Sequence, residues 1–429
     1  MERFDVIVVG AGPAGATAGR ALAQAGLNVL VVERAATPGA KNVSGGLLYS
    51  RAVAEVYPEF WKHAPIERAI AAHQIVMLGE HTSTALDFRS AQAATPPFNA
   101  FSVLRAKLDP WLATQAEEAG ASLISGVNVD ALLVENGRVV GIQAGPDQIG
   151  ADVVVVAEGT AGLLLKQAGL RGPHNPHDVS LGVKEVIALP PDVIEERFQC
   201  DAETGAAYTL VGSTGGVEGG GFIYTNKASL SVGVVVKIDS LYASGRHPHE
   251  ILDAFKAHPL VQRLVRGGEV VEYSAQTVHR GGFHLATQLV GDGYVVAGSA
   301  ARLLVNNVLT LRGMDFAITS AVEAAQAILQ ARFAGSYTAA TLGNYVERLK
   351  ATSIYQDWRT FKDAYGLMEN PRLFSLYPDL AGEVLERLLT ADTKPGSKAL
   401  GALSEALKGK ASWLTLSQDM LQIARGMVL

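Results

Sequence analysis

The chain has 429 residues, of which 48% are hydrophobic and 18% are charged, and its formal net charge is −6. This apolar fraction is large enough to build folded cores, so the composition excludes a disordered, collagen-like or coiled-coil protein. The sequence has no basic block, which argues against a nucleic-acid partner. At about 150 residues per domain, the length predicts about three domains, or two domains with a helical appendage.

The sequence contains one cysteine, Cys200. A single cysteine forms no internal disulfide and by itself holds neither an iron–sulfur cluster nor a zinc ion, so we expect no resident metal. The sequence has no run close to the ~18 consecutive apolar residues of a membrane-spanning helix. Residues 1–5 lead directly into a strand pattern, which is not typical of a signal peptide. We therefore expect a cytoplasmic α/β protein that is soluble or peripheral on a membrane.

A complete βαβ unit opens the chain. Residues 5–9 form a continuous apolar run, which is typical of a parallel strand buried on both faces. The run leads into Gly10-Ala11-Gly12-Pro13-Ala14-Gly15, which begins an alanine-rich helix that ends before Gly26. Residues 28–33 form a second apolar strand, which ends at Glu33. A glycine turn between a strand and a helix, with an acidic residue about 20 positions later, is the arrangement of a dinucleotide-binding site.

The turn residues have separate roles in such a site. Gly10 permits the tight turn, Gly12 lets the backbone approach a pyrophosphate, and Gly15 allows the helix to pack closely on the strand. The helix N-terminus offers N–H groups to the phosphates, and Glu33 accepts hydrogen bonds from ribose hydroxyls. The predicted dinucleotide-binding residues are Gly10, Gly12, Pro13, Ala14, Gly15, Glu33 and Arg34.

Two features favour FAD over NAD as the cofactor. Pro13-Ala14-Gly15 and Glu33-Arg34 are more similar to FAD sites than to the sites of NAD dehydrogenases. A distant apolar strand at 293–298 is followed by Ser299 and by a long helix predicted over 314–334. FAD proteins of the glutathione-reductase type return the chain at this point to hold the ribityl chain and the flavin. A single-domain NAD module does not need such a return.

The remaining patterns predict the domain organisation. We predict an α/β fold with a FAD-binding Rossmann domain of the glutathione-reductase type, an inserted antiparallel-sheet substrate domain and a helical C-terminal region. Asn136-Gly137 predicts a hairpin turn within the Rossmann domain. The predicted FAD domain comprises 1–65, 98–175 and 278–340, the inserted domain comprises 66–97 and 180–275, and the helical region comprises 341–429.

The segment after the first βαβ unit is more specific than the glycine turn. Residues 38–49 read Pro-Gly-Ala-Lys-Asn-Val-Ser-Gly-Gly-Leu-Leu-Tyr. Four further segments add to the pattern, at 194–198, 221–227, 254–259 and 312–315. In combination these segments resemble the FixC family. Its members are relatives of electron-transfer-flavoprotein:quinone oxidoreductase within the geranylgeranyl-reductase-like FAD proteins. The matching segments are spread over most of the chain.

The resemblance implies a flavoprotein that takes electrons from an electron-transfer flavoprotein and delivers them to a quinone. In multi-subunit Fix systems this occurs in an assembly that bifurcates electrons from NADH between quinone and ferredoxin. A small ferredoxin-like subunit there supplies the iron–sulfur clusters, whereas single-chain relatives carry a cluster in a cysteine-rich C-terminal domain. Because this chain has only Cys200, the resemblance implies the multi-subunit form. It also implies a peripheral position on the cytoplasmic face of the membrane, where quinone is available.

The resemblance also assigns roles around the flavin. Gly45 and Gly46 let the chain pass close to the ring, and the helix N-terminus at Gly313 and Met314 stabilises negative charge on the reduced flavin. Arg105 reaches the ribityl or phosphate portion, and Val127 offers backbone hydrogen bonds to adenine. The further cofactor residues are Glu158, Gly159, Gly298 and Ser299.

Two of these positions depart from the family pattern. The family usually has Gly-Asp-Ala-Ala where this chain has Gly298-Ser299-Ala300-Ala301, and Asp is commoner than Glu158 before Gly159. Serine still forms hydrogen bonds with a ribityl hydroxyl, but without the charge that makes such bonds about twice as strong. We expect the change to affect flavin affinity or potential.

The sequence shows no acid–base or nucleophilic constellation, so no catalytic residue is predicted. His279 and His284 are either proton relays to quinone or ordinary histidines, and Tyr224 either lines the quinone pocket or lies in the core. The apolar helix pattern at 413–424 predicts a core or subunit contact, because it lacks the basic face expected at a lipid surface. The alternatives are a geranylgeranyl reductase, a flavin-dependent monooxygenase, and a non-catalytic flavin-binding scaffold.

Overall fold

The structure is a computed structural model that describes residues 2–41, 46–172, 175–281, 283, 288–391, 393, 396 and 398–427. Gly45 and His284 therefore lie outside the described residues. In the described part, the strands are β1 (Arg3–Val9), β2 (Val29–Glu33), β3 (Leu47–Tyr49), β4 (Ile66–Leu78), β5 (Ser83–Arg89), β6 (Ala100–Val103), β7 (Ser122–Ser125), β8 (Ala131–Glu135), β9 (Arg138–Ala144), β10 (Asp147–Val156), β11 (Val179–Ala188), β12 (Thr204–Gly212), β13 (Gly219–Thr225), β14 (Ser229–Lys237), β15 (Glu269–His279), β16 (Val290–Gly291), β17 (Tyr294–Val296), β18 (Val305–Asn306) and β19 (Leu311–Arg312).

The helices connect these strands and form the C-terminal region. They are α1 (Pro13–Gln24), α2 (Ser50–Val56), α3 (Arg105–Glu118), α4 (Leu163–Gln167), α5 (Pro191–Phe198), α6 (Ile238–Ser244), α7 (Pro248–Ala257), α8 (Pro259–Val265), α9 (Met314–Phe333), α10 (Ala339–Leu342), α11 (Asn344–Lys350), α12 (Ser353–Thr360), α13 (Ala364–Leu367), α14 (Leu376–Leu389), α15 (Ala399–Leu407) and α16 (Trp413–Met427). None of the helices in the described ranges is long and apolar enough to cross a bilayer.

The first sheet is the predicted Rossmann sheet. Its main strands follow the order β16-β17-β10-β1-β2-β7, and β17, β10, β1, β2 and β7 run parallel. Val6, Ile7 and Val8 are fully buried, as expected for strands covered on both faces. The hairpin of β8 and β9 turns at Asn136 and Gly137, whose φ angles are +50° and +80°. Two positive φ angles favour asparagine and glycine here, which confirms the predicted turn.

The second sheet has nine strands and follows the order β15-β11-β14-β13-β12-β4-β6-β3, with β5 paired to β4. Its pairs are antiparallel except for β4 and β12, which run parallel. Alternate side chains of the sheet pack against α5, α7 and α8 in a core that includes Leu210, Val232 and Phe255. The opposite face of the sheet is therefore directed towards the Rossmann domain.

A buried carboxylate holds the last helix, α16, to the preceding segments of the C-terminal region. Asp419 of α16 is 3% exposed. It accepts two hydrogen bonds from the Arg372 guanidinium, at 2.6 and 2.7 Å, and one from the Tyr377 hydroxyl. The hydrogen bonds from Arg372 are the main reason why the pKa of Asp419 is lowered to about 2. The ionised carboxylate therefore stabilises the docked helix.

We expect Asp419→Asn to weaken the docking of α16 by about 1.5–3 kcal/mol at neutral pH, the range for hydrogen bonds to charged groups. Because the folded pKa lies below the ordinary value, this stabilisation is present above about pH 4 and is lost as the pH falls through about 2. Thermal denaturation and hydrogen exchange of 413–427 measure the effect. Glu347→Gln, which removes an exposed ion pair with Lys350, is the control with little expected change. Equal stability of Asp419→Asn and the unmodified protein at neutral pH would contradict the assignment.

Candidate functional site

A cavity of about 580 Å³ lies between the two sheets. One wall consists of the turns that follow the carboxyl ends of β1, β2, β10 and β17, and the other wall is the inner face of the second sheet. The carboxyl ends of parallel strands are the usual binding edge of an α/β sheet. The cavity therefore joins a dinucleotide-type edge to a separate chamber on the second sheet.

The glycine turn has the geometry expected for a phosphate site. Gly10 has φ +97°, and a Cβ atom there would lie 2.5 Å from the Ala157 carbonyl oxygen. A Cβ atom on Gly15 would lie 1.7 Å from the Gly10 oxygen, whereas one on Gly12 would meet only the Arg105 Nη2 atom, at 3.6 Å. Gly10 and Gly15 thus allow the elements to pack, and Gly12 faces the cavity. No side chain caps α1 at Gly12, so its first N–H groups are available to an anion.

The acidic residue at the end of β2 has two backbone partners. The Glu33 carboxylate accepts hydrogen bonds from the N–H groups of Ala11, at 2.9 Å, and Ala35, at 2.8 Å. Each carboxylate oxygen has a further lone pair for a ribose hydroxyl. The Val127 N–H donates to the Glu33 carbonyl oxygen at 3.0 Å. The amide of Val127 is therefore already bonded, and the carbonyl is the backbone group left to contact a base.

Arg105 lies beside the glycine turn and is paired with a carboxylate. Its Nε and Nη2 atoms donate to Asp109 at 2.5 and 2.6 Å, and both side chains are buried. The pair is formed within the first turn of α3, where residues four apart are neighbours. Arg105 thus brings a hydrogen-bond donor to the phosphate side of the turn, with its charge compensated by Asp109.

A second turn approaches the first one closely. Gly298 has φ +65°, and a Cβ atom there would lie 2.8 Å from the Cβ atom of Ala14. The contact places Ser299 on the cavity wall, next to the start of α1. After β10, the Glu158 Oε2 atom accepts from the Leu164 N–H at 3.1 Å, and its buried Oε1 atom has no hydrogen-bond partner among the described residues. A ligand hydroxyl would satisfy this oxygen by donating a hydrogen bond to it. The site therefore fits a nucleotide, whose sugar carries hydroxyl groups.

The start of α9 forms another part of the cavity wall. Gly313 precedes the helix without a side-chain cap, and the backbone of Met314 begins it. Asp315 lies in the first turn, is buried and pairs with Arg312 at 2.7 Å. Burial raises the pKa of Asp315, and Arg312 opposes this shift. Asp315 does not line the cavity, so it is an acidic residue of the first helical turn rather than a base that faces a ligand.

Gly46 meets an aromatic ring from the second sheet. A Cβ atom on Gly46 would lie 2.1 Å from the Cδ2 atom of Tyr224. The Tyr224 ring lines the cavity and stacks on Phe222 with centroids 4.9 Å apart. Burial raises the pKa of Tyr224 and raises that of the neighbouring Tyr49 to about 12, so both phenols are neutral at physiological pH. The absence of a side chain at Gly46 is thus required by Tyr224.

The chamber on the second sheet is lined by alternate residues of its strands, as the period of two requires. These residues are His73, Ser180, Gly182, Ala207, Thr209, Val211, Gly220, Phe222, Tyr224, Val235, Lys237, Gln276 and Val278. His279 and Arg280 line the chamber at the end of β15, and Met368 and Phe374 line it from the C-terminal region. Burial lowers the pKa of His73, which is therefore neutral at physiological pH.

The cavity brings together most of the residues predicted from the sequence. Those on its wall are Gly10, Gly12, Pro13, Ala14, Glu33, Arg34, Gly46, Arg105, Val127, Glu158, Gly159, Ser299, Gly313 and Met314. Gly15 and Gly298 lie behind the wall, where they permit close packing. The sequence analysis missed His73, Lys237 and Arg280. A signal was available for His73 and Lys237, because each is a polar residue at an alternate position of an otherwise apolar strand.

Family comparisons agree with this division of the cavity. Residues 3–219 match the model of the FAD binding domain. Residues 179–278 match the ubiquinone-binding model of ETF-QO, and residues 364–428 match the C-terminal domain model of the ETF-QO/FixC family. The two ETF-QO models correspond to the strands β11–β15 of the chamber and to the helices from α13 onward.

Similar proteins cover nearly the whole chain. The Probable electron transfer flavoprotein-quinone oxidoreductase YdiS of Escherichia coli (strain K12) is 42% identical over 395 residues, 92% of each chain. Protein FixC of the same organism is 41% identical over 390 residues, 91% of each chain. The chain belongs to the ETF-QO/FixC family. It is a FAD-dependent oxidoreductase of this family, as the resemblance in the sequence predicted, and FAD is its cofactor.

Solved structures confirm the fold of this family member. The geranylgeranyl bacteriochlorophyll reductase-like protein of Thermoplasma acidophilum superposes with a TM-score of 0.73 over 99% of this chain and 100% of that chain, at 21% identity. The flavin-dependent brominase Bmp2 superposes with a TM-score of 0.64 over 99% and 94% of the two chains, at 17% identity. At these identities the likeness shows the shared fold, which confirms the predicted α/β architecture with its second sheet and helical C-terminal region.

The contact between Gly46 and Tyr224 gives a test of why the glycine is needed. We expect Gly46→Ala to lower the FAD content and to destabilise the protein by about 1–3 kcal/mol, because the methyl group overpacks against the ring. Adding Tyr224→Ala should restore much of both, because the clash is removed. Flavin absorbance per protein and thermal denaturation measure the result. Gly366→Ala, at an uncrowded helical position, is the control. No rescue in the double variant would show that Gly46 is required by the flavin instead.

Proposed function

We propose that the protein is the FAD-containing subunit of a multi-subunit Fix-type complex that passes electrons from an electron-transfer flavoprotein to quinone. The observation that carries this proposal is the continuous cavity, which leads from the dinucleotide edge to the chamber of the second sheet. The chamber lies largely within residues 179–278, the segment that matches the ubiquinone-binding model. A donor cofactor and an acceptor that share one cavity are close enough for electron transfer between them.

We propose that FAD lies with its pyrophosphate at Gly12 and the start of α1, and with its ribityl chain near Ser299. Its adenosine portion then lies along Glu33 and Val127, and its ring lies between Gly313 and the second sheet. The uncapped N–H groups of α1 and the unsatisfied oxygen of Glu158 support this orientation. The predicted boundaries, with residues 278–340 returning to the FAD domain, agree with it.

The chamber has the character of a site for a planar apolar molecule with few polar groups. Val211, Phe222, Val235 and Val278 supply apolar surface, and the polar side chains on it include His73, Thr209 and Lys237. Small-molecule sites typically combine such an apolar wall with a few placed polar groups. A quinone, with a flat ring and two carbonyl oxygens, fits this description.

The proposed partner subunits supply groups for which this chain has no suitable residues. With Cys200 as its single cysteine, an iron–sulfur relay requires another subunit, for which a small ferredoxin-like protein is the candidate implied by the resemblance. We propose the electron-transfer flavoprotein as the electron donor. Any bifurcation of electrons from NADH between quinone and ferredoxin would take place mainly in a partner subunit.

We further propose that the chamber meets the cytoplasmic face of the membrane along β5. Phe88 pairs with His73 of β4, and Leu86 pairs with Ile75, so both lie on the face of the sheet that lines the chamber. Leu86 is 65% exposed and Phe88 is 60% exposed. An exposed apolar strip on β5 therefore lies next to His73 of the chamber, where a lipid-soluble quinone would enter without crossing water.

The proposed electron path makes a direct prediction. The purified protein should be yellow, NADH alone should leave its flavin oxidised, and NADH with the cognate electron-transfer flavoprotein should reduce it. A soluble quinone, ubiquinone-1, should then reoxidise the flavin. Stopped-flow absorbance measures each step. Rapid reduction by NADPH with substrate-dependent oxygen uptake would contradict the proposal and favour a monooxygenase.

The proposed membrane contact makes a second prediction. We expect the double variant Leu86→Ser/Phe88→Ser to lose binding to vesicles of phosphatidylethanolamine and phosphatidylglycerol, because each substitution removes apolar surface worth about 1.5–3 kcal/mol when buried. Reduction of quinone embedded in the vesicles should fall, and reduction of ubiquinone-1 in solution should not.

Phe333→Ser provides the matched control, since Phe333 is 93% exposed at the end of α9 and lies away from the chamber. Co-sedimentation with vesicles measures binding. Equal binding of the double variant and the control would contradict a membrane contact along β5.

A further inference from the structure

Lys237 is a buried cation on the wall of the chamber. It ends β14, is 8% exposed and lies on the same face of the sheet as Val235. Its Nζ atom lies 2.9 Å from the Glu218 Oε2 atom and 3.3 Å from the Glu369 Oε2 atom. An ammonium group has three N–H donors. Two of them have carboxylate acceptors, and one is left for a molecule in the chamber.

Glu369 connects this lysine to the C-terminal region and to water. Its carboxylate also pairs with Arg280, which lines the chamber and donates to the Met368 carbonyl oxygen at 3.2 Å. The Glu369 side chain is 39% exposed and that of Glu218 is 26% exposed. Lys237 therefore lies between the chamber and two carboxylates that reach solvent.

Quinone reduction needs a proton source on this wall. Conversion of a quinone to a hydroquinone takes up two electrons and two protons, and the anionic reduced flavin supplies two electrons and one proton. One further proton must come from the protein or from water. Burial raises the pKa of Tyr224 and lowers that of His73. Loss of a proton would leave a buried phenolate at Tyr224, and the neutral imidazole of His73 is a weak donor. Lys237 presents an ammonium N–H group on this wall, beside the carboxylates of Glu218 and Glu369.

We propose that Lys237 donates the second proton to the quinone and regains it from water through Glu369 and Glu218. In this step an N–H bond at Nζ breaks, an O–H bond forms on the quinone oxygen, and a neutral amine is left. The amine then takes a proton that enters by way of the exposed carboxylates, and the ammonium is restored. The inference rests on the proposed function, since it requires a quinone in the chamber.

Substitutions of Lys237 in the FAD-loaded protein, with a matched control, test the role. Lys237→Met removes the proton and the charge, whereas Lys237→Arg keeps the charge on a group that does not release its proton. Lys256→Met is the control, because Lys256 is ion-paired with Glu185 in the same domain but does not line the cavity. Reoxidation of the reduced flavin by ubiquinone-1 is followed by stopped-flow absorbance in H₂O and in D₂O. FAD content and thermal denaturation report on folding.

We expect both Lys237 variants to reoxidise at least about tenfold more slowly, since general acids contribute about 10²- to 10⁴-fold. The solvent isotope effect of the unmodified protein should change in both, and Lys256→Met should behave as the unmodified protein does. Lys237→Ala should regain rate when methylammonium is added, which supplies the missing donor. This rescue distinguishes lost chemistry from a damaged fold.

Three results would overturn the inference. They are an unmodified rate in Lys237→Met, a full rate in Lys237→Arg, or an isotope effect that is abolished by His279→Gln and retained in Lys237→Met. The second result would mean that Lys237 acts through its charge, and the third would assign the proton to His279. Failure of the unmodified protein to reduce any quinone would instead contradict the proposed function.

Discussion

The site depends on the close approach of two glycine turns at the end of the Rossmann sheet. A Cβ atom on Gly298 would lie 2.8 Å from Ala14, and a Cβ atom on Gly10 would lie 2.5 Å from the Ala157 oxygen. Any side chain at these glycines would separate the two turns and the start of α1. Because the side chains are absent, Ser299, Glu158 and the uncapped N–H groups of α1 meet around one cavity. This end of the sheet thus offers a ligand backbone N–H groups together with the side chains of Glu33, Glu158 and Arg105.

The chamber on the second sheet has a different construction. It uses one face of an antiparallel sheet, and the C-terminal region closes it with Met368 and Phe374. Glu369 ties that region to two buried cations, Lys237 and Arg280. The docking of the C-terminal helices is therefore coupled to the shape and charge of the chamber. The proposed proton path and the proposed membrane contact lie at separate places on this one sheet.

Local patterns predicted the FAD domain well, and long-range contacts account for what was missed. The helix predicted over 314–334 is observed as α9, and β2 ends at Glu33 as expected. Gly46 was predicted to lie near the flavin and lines the cavity, but its contact with Tyr224, which is distant in the chain, was not predicted. The parallel pairing of β4 with β12 was not predictable either, because alternation along a strand does not specify the direction of its neighbour.

The sequence by itself determined the cofactor and the family, because a glycine turn with its strand, helix and acid is encoded within a few dozen adjacent residues. The tertiary structure decided which polar side chains share the chamber. Lys237 follows a run of valines and looks like the end of a buried strand. Folding places it on the cavity wall, beside Glu218 and beside Glu369 of the C-terminal region. The physical reason is that local periodicity specifies which face a residue takes, whereas the partner on that face is supplied by folding.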